Sequence, residues 1–143
     1  MRVLIADDSK IIRSRIAKIL SEYKVIDSIE EANDVQEAIN LLHRNHPNVL
    51  ILDIEMPGGN GIEVLNAIKH DQYYPPVVIV FTNYPFPEYE KAYMTAGADF
   101  FFDKSSEFKL MKKVIENLVD NEIRIEAFGK QPKQSDEERN NYN

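Results

Sequence analysis

At 143 residues, 43% of them hydrophobic, the chain has the length of one domain and enough apolar side chains to close one core. A formal net charge of −7 offers a phosphate backbone or an anionic membrane nothing to hold, so direct nucleic-acid binding is not expected. Zero cysteines exclude disulfides and thiolate chemistry, and with no run of about 18 apolar residues and no secretory leader the chain is expected to be cytoplasmic, without membrane insertion.

Short apolar runs alternate with longer stretches of helical period, which predicts repeated strand–helix units and a parallel sheet covered on both faces. Strand 1 is read at Arg2 to Asp7, followed by a helix capped by Ser9 with Ile12, Ile16, Ile19 and Tyr23 at spacings of three and four. Strand 2, around Val25 to Glu31, has the weakest signal, and its helix carries Val35, Ala38, Ile39 and Leu42 on one face. Strand 3, Val49 to Asp53, is the dense apolar run that a central parallel strand needs. Pro57-Gly58-Gly59-Asn60-Gly61 then forces a turn into a helix with Ile62, Leu65 and Ile68. Pro75-Pro76 introduces strand 4, Val77 to Phe81; a helix from about Glu88 to Ala96, capped by Gly97, leads to strand 5, Asp99 to Phe102. The last helix starts near Ser106, carries Phe108, Met111, Ile115 and Leu118, and runs to about Ala127. Lys130 to Asn143 has no aliphatic residue and one aromatic, Tyr142, so burial there cannot offset ordering entropy. A folded domain, 1–127, and a disordered tail, 128–143, are expected.

Ligands of a doubly wound sheet sit outside the carboxyl ends of its strands. Those ends present Asp7 and Asp8, then Asp53, Thr82 and Lys104. Three carboxylates in one crevice would repel by about 4 kcal/mol per pair at ~4 Å and an effective dielectric near ~20. A divalent cation offsets that, and an all-oxygen, water-exposed site suits Mg²⁺. Without a cysteine, a histidine near these ends or a Gly-Lys-Ser/Thr loop, the expected nucleophile is a carboxylate that forms an acyl phosphate. Asp53 is best placed for it, at the end of the most apolar strand, with Asp7 and Asp8 beside it to hold the metal. Lys104 can reach a phosphoryl oxygen, and Thr82 can donate its hydroxyl to the new phosphate. Taken singly, each residue has a plainer reading: the aspartates as caps or solvated loop residues, the lysine as surface charge, the threonine as structure.

The segments Val-Leu-Ile-Ala-Asp-Asp-Ser, Val-Leu-Ile-Leu-Asp-Ile-Glu-Met-Pro-Gly, Val-Ile-Val-Phe-Thr-Asn and Gly-Ala-Asp-Phe-Phe-Phe-Asp-Lys-Ser resemble the receiver domains of two-component response regulators, over roughly residues 1 to 127. The resemblance implies a flavodoxin-like α/β fold, a doubly wound five-stranded parallel sheet of order 2-1-3-4-5 with five helices. It implies that Asp53 takes phosphate from the phosphohistidine of a histidine kinase or histidine phosphotransfer protein. Asp8 and Asp53 would bind Mg²⁺ directly, Asp7 largely through water, and the backbone carbonyl of Glu55 would complete the set. Thr82 and Lys104 would contact the phosphoryl group. Phe101, three before the lysine, would be the switch residue, its ring outward until Thr82 moves and then turning inward. The protein would be no enzyme in the usual sense but a phosphoacceptor that assists its own phosphorylation and dephosphorylation, with a protein as its downstream target.

Three features depart from the commoner pattern of that family. Asn83 stands where a small residue is frequent, Ser105 replaces the proline that often follows the lysine, and Pro85 and Pro87 stiffen the loop after Thr82. His43, His46 and His70 fall at the opposite end from the crevice and are expected to be solvated. Lys10, Arg13, Arg15 and Lys18 form a basic helix face that could meet an acidic phosphotransfer partner, although such a face is usually just exposed; the run Ser135-Asp136-Glu137-Glu138 reads as a solvated segment. A stand-alone, chemotaxis-type response regulator is the leading reading. The alternatives are a receiver fragment of a longer regulator and, less well matched, a Mg²⁺-dependent aspartyl-phosphate phosphatase of the haloacid dehalogenase type. That class needs a second aspartate two residues after one on strand 1, and Ala6-Asp7-Asp8-Ser9 lacks it. A flavodoxin-like binder would need a Ser/Thr/Gly-rich phosphate loop where Asp7 and Asp8 stand.

Overall fold

The computed structural model describes residues 1–128, so the expected tail lies outside the described residues but for its first position. The strands in chain order are β1 (Arg2–Ala6), β2 (Ser28–Ala32), β3 (Val49–Leu52), the two-residue β4 (Glu55–Met56) and β5 (Gly59–Asn60), β6 (Val77–Thr82) and β7 (Phe100–Asp103). The helices are α1 (Lys10–Leu20), α2 (Val35–Asn45), α3 (Gly61–Lys69), α4 (Pro87–Thr95) and α5 (Phe108–Phe128). A parallel five-stranded sheet runs β2-β1-β3-β6-β7, which is the expected 2-1-3-4-5 order with β6 and β7 as its fourth and fifth strands.

Side-chain alternation along the strands builds two cores. Leu4, Leu50, Leu52, Val78, Val80 and Phe101 point to the layer closed by α2, α3 and Tyr93 of α4. Val3, Ile5, Ile51, Ile79, Phe81, Phe100 and Phe102 point to the layer of α1 and α5, where Ile16, Leu20, Met111 and Ile115 meet them. Both faces of β3 are therefore covered, which is why Val49–Leu52 is apolar at every position.

The boundaries differ from the sequence reading in ways that have physical causes. β2 starts at Ser28, not Val25, because the chain there still turns: Ile26 donates to Tyr23 O at 3.1 Å and Asp27 to Met1 O at 3.0 Å. Val25 and Ile26 are apolar because they plug the α1–α5 core from a loop. β2 is an edge strand rich in polar residues, which explains its faint signal. Ser9 does cap α1, accepting from Ile12 N, but the helix ends at Leu20, so Tyr23 lies past it and buried Leu20 does the packing assigned to Tyr23. Gly97 is one residue beyond the cap Ala96 of α4: at φ +115°, it lets its own N–H reach Met94 O and that of Ala98 reach Tyr93 O, a Schellman closure.

His46 does not match the expectation of solvation. It closes α2 in the left-handed region at φ 46°, stacks on Tyr73 at 3.4 Å between ring centroids, and shares Asp71 with His43. The β4–β5 hairpin was not anticipated either, since two residues per strand leave no periodicity to read.

Candidate functional site

The carboxyl ends of β1, β3, β6 and β7 bring together Asp7, Asp8, Asp53, Thr82 and Lys104. Asp7 and Asp53 fall one residue past their strands: Asp7 N still donates to Ala32 O at 3.0 Å and Asp53 N to Ala6 O at 2.9 Å, so the ladder holds both backbones while the side chains leave the sheet. Asp7 and Asp53 are 3% and 6% exposed, whereas Asp8 faces solvent. One oxygen from each of the three lies within 4.8 Å of the others.

Lys104 enters this cluster from the loop after β7. Its Nζ is 2.5 Å from Asp7 Oδ2 and 3.0 Å from Asp53 Oδ2, and its side chain is 6% exposed. The remaining oxygens are used as well, Asp7 Oδ1 by Ser9 N at 2.8 Å and Asp53 Oδ1 by Ile54 N at 2.8 Å. One ammonium cannot neutralise two buried carboxylates. Burial therefore wins at Asp53 and, with the negative charge of Asp7, raises its pKa to about 6, although Lys104 pulls it down. The two carboxylates in turn hold the Lys104 pKa above its usual value against the opposing effect of burial. The donor set of carboxylates, oxygen only and open on the Asp8 side, fits a hard divalent cation.

Thr82 is fully buried, and its hydroxyl oxygen accepts from Tyr84 N at 2.9 Å, which leaves its own proton to donate. Lys104 N donates to Thr82 O at 2.8 Å, so the backbones of these two residues are tied together. Glu55, exposed, pairs in register with Asn60 in the hairpin, and a groove lined by Asp8, Glu55, Met56 and Pro57 opens beside the carboxylates. Phe101 does not show the outward ring. It is 7% exposed, in the α4 layer with its centroid 6.4 Å from that of Tyr93, because odd-even alternation sends Phe100 and Phe102 to the other face. The basic face of α1 is partly spent within the molecule: Arg13 bonds Glu31 at 3.1 Å and Asp7 O at 2.7 Å, and Arg15 lies over the Phe108 ring.

Three neighbours of the site escaped the sequence reading. Tyr84 stands against Glu55, whose charge raises the phenol pKa. Tyr93 reaches Ile54 O at 3.4 Å with a phenol pKa pushed up to about 12 by burial. Gly61, read as a turn residue, is a close-approach residue: a Cβ there would lie 3.0 Å from Asp53 O and from Tyr93 Cε1, and 3.2 Å from Leu52 Cδ2. Gly61→Ala should therefore lose about 1–3 kcal/mol of stability in urea unfolding, since the nearest atom is backbone and cannot swing away. A variant as stable as wild type would show that β3 can shift freely beneath Asp53.

A parallel α/β sheet with carboxylates, a threonine and a lysine converging at its carboxyl end places the chain among the doubly wound folds whose site lies at that edge. The family model described as response regulator receiver domain matches residues 3–116, and the chain belongs to that family, the receivers of two-component signalling. The chain is 36% identical over 106 residues to a protein-glutamate methylesterase/protein-glutamine glutaminase of Geobacillus kaustophilus, a match covering 74% of this chain and 30% of the relative. It is 32% identical over 84 residues to the sensory transduction protein LytT of Bacillus anthracis, covering 59% of this chain and 34% of that one. The response regulator domain of Thermotoga maritima CheB superposes with a TM-score of 0.72 at 26% identity, covering 92% of this chain and 98% of that domain. The chain thus spans about a third of the length of the curated relatives it matches.

Proposed function

We propose that this receiver accepts a phosphoryl group on Asp53 from a histidine kinase or histidine phosphotransfer protein and signals through phosphorylation-dependent protein contacts. The observation that carries the reading is the geometry around Asp53: a buried carboxylate at the end of the central strand, 3.0 Å from a lysine ammonium that it shares with Asp7. Asp7, Asp8 and Asp53, with the backbone carbonyl of Glu55, would hold Mg²⁺, which when bound supplies the charge neutralisation that phosphoryl transfer needs. The Asp53 oxygen attacks phosphorus as the donor's P–O or P–N bond breaks, and the leaving group departs with its electron pair. Lys104 then moves its charge from carboxylate to phosphoryl oxygen, and Thr82 donates its hydroxyl to a second oxygen. Phe101, beside Tyr93 and one strand over from Thr82, is the proposed reporter of that movement through β7 and α4. Phosphorylation adds about two negative charges to the crevice and shifts the population of surface conformations that a protein target reads.

The test is to incubate the protein with acetyl phosphate. A single hydroxylamine-labile phosphoryl group mapping to Asp53 is expected with Mg²⁺, and no labelling in EDTA. Labelling at a histidine or serine, or labelling that ignores EDTA, would overturn the assignment.

A second reading concerns the whole protein. Curated relatives extend well beyond the matched segment, which supports the alternative that the receiver is one part of a longer regulator instead of a free-standing chemotaxis-type switch. An immunoblot of the source cells separates the two by the size of the native polypeptide. The match to the receiver family sets aside the haloacid dehalogenase and flavodoxin-like readings.

A further inference from the structure

Lys104 acts at the end of a long flexible stem, so something has to fix the base of that stem if the ammonium is to meet two buried carboxylates. Ser105 follows it, and the Lys104–Ser105 peptide is trans. The loop is held by a closed set of hydrogen bonds centred on Asp103. Asp103 Oδ1 accepts from Ser105 N at 2.9 Å and from Ser105 Oγ at 2.8 Å, and Oδ2 accepts from Ser106 Oγ at 3.0 Å. In return Glu107 Oε1 accepts from Asp103 N at 3.0 Å, and Asp103 O accepts from Glu107 N at 2.8 Å. The bond from Lys104 N to Thr82 O then fastens this turn to the end of β6.

A plain helix cap would look different. A capping carboxylate accepts from amides in the first turn of its helix, as Asp34 does from Glu37 N at the start of α2. The carboxylate of Asp103 instead takes its bonds from Ser105 and Ser106, both ahead of α5 and immediately after the lysine. Its bonds therefore define the path of the backbone on either side of Lys104.

We propose that Asp103 is a positioning residue for Lys104: the Asp103–Glu107 turn sets the base of the lysine so that its ammonium is delivered to the Asp7–Asp53 pair and, after transfer, to the phosphoryl group. The inference rests on the reading of Asp53 as phosphoacceptor. Small misplacement of such a group is costly, since charge stabilisation in a dry site depends on sub-ångström aim.

The experiment uses the full chain with Mg²⁺ and beryllofluoride, a phosphoryl stand-in, and measures binding affinity. Asp103→Ala should weaken binding about tenfold. Asp103→Asn, which keeps an acceptor oxygen for Ser105 N–H, should restore most of it. In a Lys104→Ala background the further change Asp103→Ala should make no difference, because its only route to the ligand has gone. Ser106→Ala removes a single bond of the turn and should weaken binding about two- to threefold, so the proposal stays open to test even where Asp103→Ala folds poorly. Wild-type affinity in both Asp103→Ala and Ser106→Ala would overturn the proposal, and so would an equal loss in the Lys104→Ala background, which would mark a general loop defect. Wild-type protein that takes up no beryllofluoride would overturn the reading of Asp53 itself, and this inference with it.

Discussion

Asp53→Ala is expected to cut labelling by acetyl phosphate in Mg²⁺ by about three orders of magnitude or more, to the level of unfolded protein. The size of the effect follows from what the neighbouring carboxylates are already doing. Asp7 holds the lysine more closely than Asp53 does, at 2.5 Å against 3.0 Å, with its Oδ1 under the amide of Ser9, so it is the carboxylate more tightly committed to the ammonium. Asp8 is exposed, and the ion pairs of the Lys104 ammonium are with Asp7 and Asp53. Asp53 has the same pattern of partners, Oδ2 on Lys104 and Oδ1 on Ile54 N, but is the one of the three at the end of the central strand, between β1 and β6. The single-turnover time course of incorporation, followed by mass spectrometry, is the measurement. Labelling of the variant at the wild-type rate would sink the assignment, and rapid transfer to Asp8 instead would mean that metal proximity matters more than the lysine.

How much of this was legible in the sequence depends on the range of the signal. Runs such as Val49–Leu52 and Val77–Phe81 announce buried parallel strands because every side chain there is enclosed, whichever face it takes. The site residues were legible for a related reason: each is the first or second polar group after such a run, so strand order alone brings them to one edge. Phe101 shows the limit. The family resemblance implies a switch role for it, but which face its ring takes depends on strand alternation and on Tyr93 across the layer, and the structure has the ring inside. Asp103 was passed over as the last residue before a lysine; the sequence Asp-Lys-Ser-Ser-Glu does carry the reciprocal acceptors and donors of a closed turn, and that pattern was the available signal. Gly61 could not have been found this way, since its close approach to Asp53 O is made across the β4–β5 hairpin and leaves no periodic mark.

Without divalent metal, Asp53→Asn should be more stable than wild type at pH 7, by on the order of 2–3 kcal/mol. Folding raises the Asp53 pKa to about 6 from its ordinary value of 3.8, chiefly by burial. Between those values the folded protein keeps a proton that the unfolded chain has released, so raising the pH favours unfolding across that window. The loss is complete above about pH 6 to 7, and below about pH 4 both states are protonated and the penalty is absent. Asparagine has no proton to lose, can still accept from Ile54 N, and leaves Lys104 paired one to one with Asp7. Asp71 and Asp103 have lowered pKa values, set first by the amides of Tyr73 and Ser105, so they contribute stability that is lost as pH falls through the acid range. Both proteins share those groups, and they cancel in the difference. Urea unfolding in EDTA from pH 4 to 8 should therefore show two curves that meet near pH 4 and separate by pH 7, with Mg²⁺ raising the wild-type curve by binding only its folded form. An asparagine variant that is less stable than wild type at pH 7 in EDTA would mean that the Asp53–Lys104 pair stabilises the apo fold on balance, and that the carboxylate crowding inferred from the geometry is not felt in solution.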